Sequence, residues 1–317
     1  MLNMHVKTSP KTVARNAKPF WLDLFDPTPD DVAQAEAESG VTIPSRASLE
    51  EIESSSRLRA QGDVLFVSMP LAIEDPAAGL VPLPLGFVLS PRWLITVRFA
   101  AIPAFEHVDA RVAAGELTDG ISVFAALIEG MVDFGADMLE KLSSDLAQIS
   151  VRAFQPRGRS RRDQRGSRSL QDCLNGVGIA GDHSSRVRQS LLGLQRIIGY
   201  VLQVNDHALT PELKTRLNTA RQDLVSLVDF EAHVSAKTQF LLDAILGFIN
   251  TEQNDIFRVL TVVSVVGIPP TLVASIYGMN FQHMPELAWR WGYPYGLAVI
   301  ALSALVPVAW FKFRGWW

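Results

Sequence analysis

The sequence predicts an α+β N-terminal domain, then long helices, then two C-terminal helices able to cross a membrane. Three observations lead there. No charged residue occurs from 259 to 282, and none from 291 to 311. Each run meets the requirement of about 20 apolar residues for a helix through a hydrocarbon core about 30 Å thick. Two such runs joined by a short loop read as a helical hairpin; buried core helices are the competing reading. No proline falls between Pro211 and Pro269. The first third mixes strand-like apolar runs with cap and turn signals.

Residues 1–121 read as a small sheet covered by helices. Phe20 to Phe25 form a strand ending at Asp26-Pro27. Thr28 caps a helix with Pro29 at its first position and Asp30 and Asp31 in its first turn, where acids suit the helix dipole. A second helix starts near Ser48, with Glu50, Glu51 and Glu53 early in it. Val64 to Met69 form a strand. Gly86 to Leu89 and Trp93 to Arg98 flank Ser90-Pro91-Arg92 as a hairpin.

Residues 122–209 are helical. Phe124, Leu127, Ile128, Met131, Phe134 and Met138 recur at helical spacing. The 157–168 segment holds six arginines among Gly and Ser. It reads as a solvated loop, with a polyanion or lipid-headgroup patch as the alternative. A further helix covers 169–203 with Val187, Leu191, Leu194 and Ile198 inward. Gly176, Gly178 and Gly181 argue against helix in its early part.

Residues 210–280 read as one stalk helix continuing into the first span. Thr210-Pro211-Glu212 starts it, and Leu213, Leu217, Leu224, Leu227, Val234, Leu241, Ile245 and Phe248 carry the period. A helix from Pro211 to about Tyr277 is about 100 Å long. Self-association around an axis gives such a rod something to pack on. At 100° per residue, Asp243, Asn250, Asn254, Thr261, Ser264, Thr271 and Ser275 share an arc of about 100°. Polar groups within a membrane face a bundle interior or water. A pore lining is one reading, and polar glue between helices the other. Phe257 and Ile268 lie near the stripe and suit a dewetting constriction or plain packing. Pro269-Pro270 interrupts the backbone ladder, as a membrane-helix kink or a gating bend.

A loop at 281–290 follows, then the second span at 291–311 and a basic tail at 312–317. Arg258 precedes the first span and Lys312 and Arg314 follow the second, so both termini are expected in the cytoplasm. The N-terminus lacks the long apolar stretch of a signal peptide. The one cysteine, Cys173, has no partner for an internal disulfide. Net charge is −4, which gives no reason to expect nucleic-acid binding.

On Tyr277-Gly278-Met279-Asn280, then Met284-Pro285-Glu286-Leu287 and a terminal span ending near Lys312, the chain resembles the CorA family of divalent-metal transporters. Trp21-Leu22-Asp23-Leu24 and the stretch from Trp93 to Arg98 look familial too. The resemblance implies a funnel-shaped homopentamer in the inner membrane, with the long helix lining the pore. On that pattern Gly278, Met279 and Asn280 form the ion-selecting mouth, and Gly278 allows a sharp turn. Mg²⁺ holds its water tightly, so neutral Asn280 amides would read its water shell. Thr271 and Asn254 match further pore positions, Asp243 an acidic ring near the cytoplasmic exit, and Glu286 a cation-attracting loop residue or a loop-ordering one. The cargo is Mg²⁺, with Co²⁺ and Ni²⁺ as related ions, and no cofactor is expected. Regulatory Mg²⁺ at cytoplasmic acids is also a family property. Leu217-Asn218-Thr219-Ala220, where the stalk partner would stand, has no carboxylate, leaving Asp223 and Asp229 nearby.

No Gly-rich phosphate loop is present. A doubly charged ion gains about 4.6 kcal/mol from 100 mV inside-negative, which could drive uptake alone. The rival within this architecture is the related zinc-transporter branch. His283 is the one soft ligand in the loop, whereas zinc wants several N or S ligands. A membrane-anchored enzyme is the rival of another class, but no nucleophile, acid–base pair or metal-ligand cluster stands out and the six histidines are scattered.

Overall fold

A computed structural model describes residues 1–6, 19–76, 78–155, 165–204, 209–279 and 284–316. The side chains of 54, 55, 165–168 and 287 fall outside that description. The chain divides into two compact units, Met1–Pro156 with Asp172–Leu242, and Arg157–Gln171 with Asp243–Trp317.

The first unit is built on a six-stranded sheet. Its strands are β1 (Leu2–Val6), β2 (Pro19–Phe25), β3 (Leu58–Gln61), β4 (Val64–Asp75), β5 (Gly79–Leu89) and β6 (Leu94–Arg98), in the order β1-β2-β6-β5-β4-β3. Among the described strands only β2 and β6 pair in parallel. Period-two alternation sends Leu22, Leu24, Phe66, Val88, Ile95 and Val97 to one face. There α1 (Pro29–Ser39) and α2 (Arg46–Glu50) supply Ala35 and Leu49. Trp21, Met69, Leu85, Phe87 and Leu94 face the other way. They meet Phe105 of α4 (Pro103–Ala113), Phe124 and Ile128 of α5 (Gly120–Phe154), and Leu191 and Leu194 of α6 (Arg165–Val204). Leu217 and Leu224 of α7 (Pro211–Tyr277) complete this larger core.

Local chemistry explains the elements. Thr28 accepts from the Asp31 N–H while the Asp31 carboxylate accepts from the Thr28 N–H at 3.0 Å, a reciprocal capping box. Gly40 ends α1 in the left-handed region at φ 75°. The Ser90 N–H donates to the Trp93 carbonyl at 3.0 Å and closes the hairpin expected at Ser90-Pro91-Arg92.

Four expectations change. The second helix, expected from near Ser48, starts at Arg46 under a Ser45 cap but ends already at Glu50, and a separate turn, α3 (Ser54–Arg57), follows. Thus Glu51 and Glu53 lie outside it, and the nearer cap at Ser45 decides the start. The helix at 169–203 runs through Gly176, Gly178 and Gly181. At Gly176 an added Cβ would lie 3.0 Å from Ile149 Cδ1, so close approach to α5 keeps that position small. β4 and β5 extend well past Met69 and Gly86, and Pro70 faces Pro84 across the ladder. β3 covers β4 only from Val64 to Val67, and β6 covers β5 only from Leu85 to Leu89. Beyond them no outer strand requires an N–H, so proline is tolerated. Side chains of α6 serve that outer edge instead: Ser190 Oγ accepts from the Ala72 N–H at 2.8 Å, and Arg186 donates to the Leu80 carbonyl. Fourth, the edge strands β1 and β3 join the sheet although no strand was expected there.

The second unit contains the C-terminal part of α7, a 3₁₀ turn at Pro285–Ala288, and α8 (Gly292–Phe313). Both α7 and α8 are long and apolar enough to span a membrane. The apolar window is 0% buried in α7 and 6% buried in α8, unlike a soluble core helix. The arginine segment at 157–168 lies outside the described residues through 164, and its remaining side chains do as well.

Candidate functional site

The sequence of α7 divides its surface. Leu217, Leu224, Val234 and Leu241 are buried, as is Glu231, whose Oε1 accepts from the Ser184 hydroxyl at 2.8 Å. Arg188 donates to the same carboxylate at 2.5 Å. The stripe begins on the opposite side of the helix, because Leu241 lies about 160° round from Asp243. Asp243, Asn250, Asn254, Thr261, Thr271 and Ser275 are exposed, and Ser264 is half-buried. Two large apolar side chains, Phe257 and Ile268, share the arc and are 63% and 62% exposed.

Three hydroxyls of this arc are oriented by the helix itself. Thr261 Oγ1 donates to the Phe257 carbonyl at 2.7 Å, Thr271 to Gly267 at 2.8 Å, and Ser275 to Thr271 at 2.8 Å. A hydroxyl carries one proton and two acceptor lone pairs. With the proton turned back to the helix, each oxygen presents acceptor capacity outward. The stripe therefore offers carboxylate, amide and hydroxyl oxygens, and no Lys or Arg lies within its arc. Pro269 and Pro270 sit inside α7, which continues to Tyr277. They deprive the Val265 and Val266 carbonyls of their usual donors.

At the end of α7 the Gly278 N–H donates to the Ala274 carbonyl at 3.0 Å, and the Met279 N–H to Ile276 at 3.2 Å. Gly278 does not take a left-handed backbone. A Cβ there would lie 3.3 Å from the Ala274 oxygen, so a tight carbonyl contact accompanies the small residue. Asn280 lies outside the described residues, as does His283. Glu286 is half-buried in the 3₁₀ turn. Its carbonyl abuts Gly292 so closely that a Cβ on Gly292 would lie 1.9 Å away. Sequence reasoning passed over this glycine, because the crowding appears only once the loop is folded.

It also passed over the aromatic flanks of α8, which composition could have revealed. Trp291, Tyr293 and Tyr295 are exposed at one end, and Trp310 and Trp316 at the other. Such belts sit at the two water interfaces of a membrane. The Arg258 guanidinium lies 5.6 Å from the Trp316 ring centroid.

Asp223 and Asp229 are not brought together. Six residues apart, they lie about 120° from one another around α7. Asp223 lines a cleft of about 290 Å³ with Glu129, Asp133, Arg216 and Thr219; Asp229 does not. Arg216 donates to both Glu129 oxygens, at 2.8 and 2.6 Å, and that hydrogen bonding raises the Arg216 pKa. Among the described residues no group of three or more His, Cys, Asp or Glu side chains is placed to hold a metal ion.

The family model described as CorA-like Mg²⁺ transporter protein matches residues 16–312. The chain is 32% identical over 301 residues to the magnesium transport protein CorA of Escherichia coli (strain K12), covering 93% of this chain and 91% of that one. Its fold is similar to the complete CorA magnesium transporter of Methanocaldococcus jannaschii, with TM-score 0.73 and 17% identity over 94% of this chain and 91% of that one. The ZntB cytoplasmic domain of Vibrio parahaemolyticus is a weaker match, with TM-score 0.54 and 14% identity over 73% and 88% of the two chains.

Proposed function

The chain belongs to the CorA-like Mg²⁺ transporter family, and from that premise we propose that it conducts Mg²⁺ across the inner membrane through a pore formed by several copies of α7. The observation that carries this reading is the stripe in which Thr261, Thr271 and Ser275 spend their hydroxyl protons on their own helix. Acceptor oxygens suit the outward-pointing protons of a hydrated cation. They do not strip a shell that Mg²⁺ gives up reluctantly.

Five copies would place rings of Asp243, Asn250, Asn254, Thr261, Ser264, Thr271 and Ser275 around one axis. Gly278, Met279 and Asn280 would form the outer mouth, with the Asn280 amide reading the hydrated ion. Glu286 in the adjoining loop would concentrate cations there. Phe257 and Ile268 would be the dewetting constriction. The membrane potential would drive entry, since two charges gain about 4.6 kcal/mol per 100 mV. Both termini would lie in the cytoplasm, with Arg258, Lys312 and Arg314 on that side. Co²⁺ and Ni²⁺ would be secondary cargo.

The test is Mg²⁺ entry into proteoliposomes at a fixed inside-negative potential. Native protein should conduct, and Asn280→Ala should lose most of the flux while keeping the same oligomer size. Unchanged flux in that variant would remove Asn280 from the mouth. Parallel uptake of Zn²⁺ in preference to Mg²⁺ would move the assignment to the zinc branch.

A further inference from the structure

Outside α7 and α8, a cleft in the first unit encloses about 430 Å³. Its wall is the proline-bearing part of the β4–β5 hairpin, with Pro70, Pro82, Leu83 and Pro84, against Leu192 and Gly193 of α6. Gly193 must be small, since a Cβ would lie 2.9 Å from Met69 Cβ. Two cations enter this apolar cleft, Arg57 from the end of α3 and Arg196 from α6. Arg57 is fixed by its Nε, which donates to the Glu51 carbonyl at 2.5 Å. Among the described residues its two terminal nitrogens meet no hydrogen-bond acceptor. Among the described residues no carboxylate pairs with either arginine. Glu50 at the rim is engaged by Arg46 Nε at 2.9 Å. Burial first, and the Arg196 charge second, lower the Arg57 pKa.

Like charges converging on an apolar cleft oppose folding unless an anion joins them. Guanidinium forks match phosphate oxygens in pairs, and a cleft of this size accommodates a drug-sized molecule. We propose that this cleft is a binding site for a small organic phosphate, its phosphate held between Arg57 and Arg196 and its flat or apolar body lying on Pro82, Leu83, Pro84 and Leu192. The site is independent of the ion pathway proposed above.

The probe is AMP, a phosphomonoester on a flat ring, titrated into full-length protein in detergent with EDTA so that no divalent ion bridges the two. AMP should bind saturably and more weakly as salt rises. Inorganic phosphate should bind more weakly than AMP because it lacks the body, and adenosine more weakly because it lacks the charge. Arg196→Gln removes an exposed side chain from a helix surface and should weaken AMP about tenfold or more without lowering Tm, as expected for loss of a charged hydrogen bond. Arg57→Lys keeps the charge but loses the fork, and should weaken AMP as well. Native protein that fails to bind AMP overturns the proposal, as does equal binding by Arg196→Gln. If AMP fails and Arg196→Gln instead shrinks the oligomer, the cation pair receives a carboxylate from a second copy, and the organic-phosphate assignment falls.

Discussion

Asp23 and Arg98, 75 residues apart, meet through three contacts: Arg98 Nη2 donates to Oδ2 at 2.9 Å, and Arg98 Nε to Oδ2 at 3.2 Å and to Oδ1 at 3.3 Å. The parallel pairing of β2 with β6 sets Phe25 opposite Arg98 and Asp23 opposite Thr96. Thr96 Oγ1 donates to Asp23 Oδ1 at 2.7 Å and accepts from Trp21 Nε1 at 3.1 Å. The Arg98 guanidinium also lies over Phe25 and Phe105, 4.6 and 4.7 Å from the ring centroids. The two N-terminal segments that carried the family resemblance are thus neighbouring strands joined by one buried network.

Removing Asp23 strands a guanidinium whose side chain is 12% exposed. Asp23→Ala should lower stability by about 3–5 kcal/mol, the range for breaking a buried pair on one side. Thermal unfolding of the purified protein measures it. A shift no larger than that of a surface substitution would mean that Arg98 finds water or another acceptor.

Thr271→Val removes the outward oxygen of the stripe with little change in shape. In the pore reading, Mg²⁺ flux should fall about tenfold or more, as for loss of a hydrogen bond to a charged partner. Thr271→Ser should retain most of it. If Val and Thr conduct alike in proteoliposomes, the hydroxyl is packing glue.

Gly292→Ala would drive a methyl into the Glu286 carbonyl. The loop between the two spans must then shift, and both flux and thermal stability should drop. Gly296→Ala is the control, since a Cβ there meets nothing within 4 Å. Equal behaviour of the two variants would show that the loop yields easily.

The Asp31 carboxyl is held down from an ordinary 3.8 to about 2, first by the Thr28 N–H. A depressed carboxyl pKa adds stability above the unfolded value, and that contribution disappears as pH falls toward 2. Asp31→Asn should therefore be less stable than native protein at neutral pH, and the gap should close between pH 4 and pH 2. Denaturant titrations at several pH values read this directly; a pH-independent gap would assign the loss to cap geometry alone.

What sequence alone determined was local or periodic. Thr28, Pro29 and Asp31 contain a complete cap within four consecutive residues. The Pro211–Tyr277 helix follows from a proline start, a proline-free run up to Pro269 and an unbroken apolar period. The two spans follow from charge being absent over lengths set by the bilayer. Tertiary structure decided what depends on a distant neighbour. Pro70 and Pro84 are strand residues because no third strand reaches them. Gly176 lies in α6 where Ile149 leaves little room for a side chain, and Gly292 is crowded by a carbonyl. Arg57 and Arg196, 139 positions apart, become a pair only when α3 and α6 flank one hairpin. Periodicity reports which face of an element turns inward, whereas close approach and charge convergence exist only between elements. Those contacts become readable once the chain has folded.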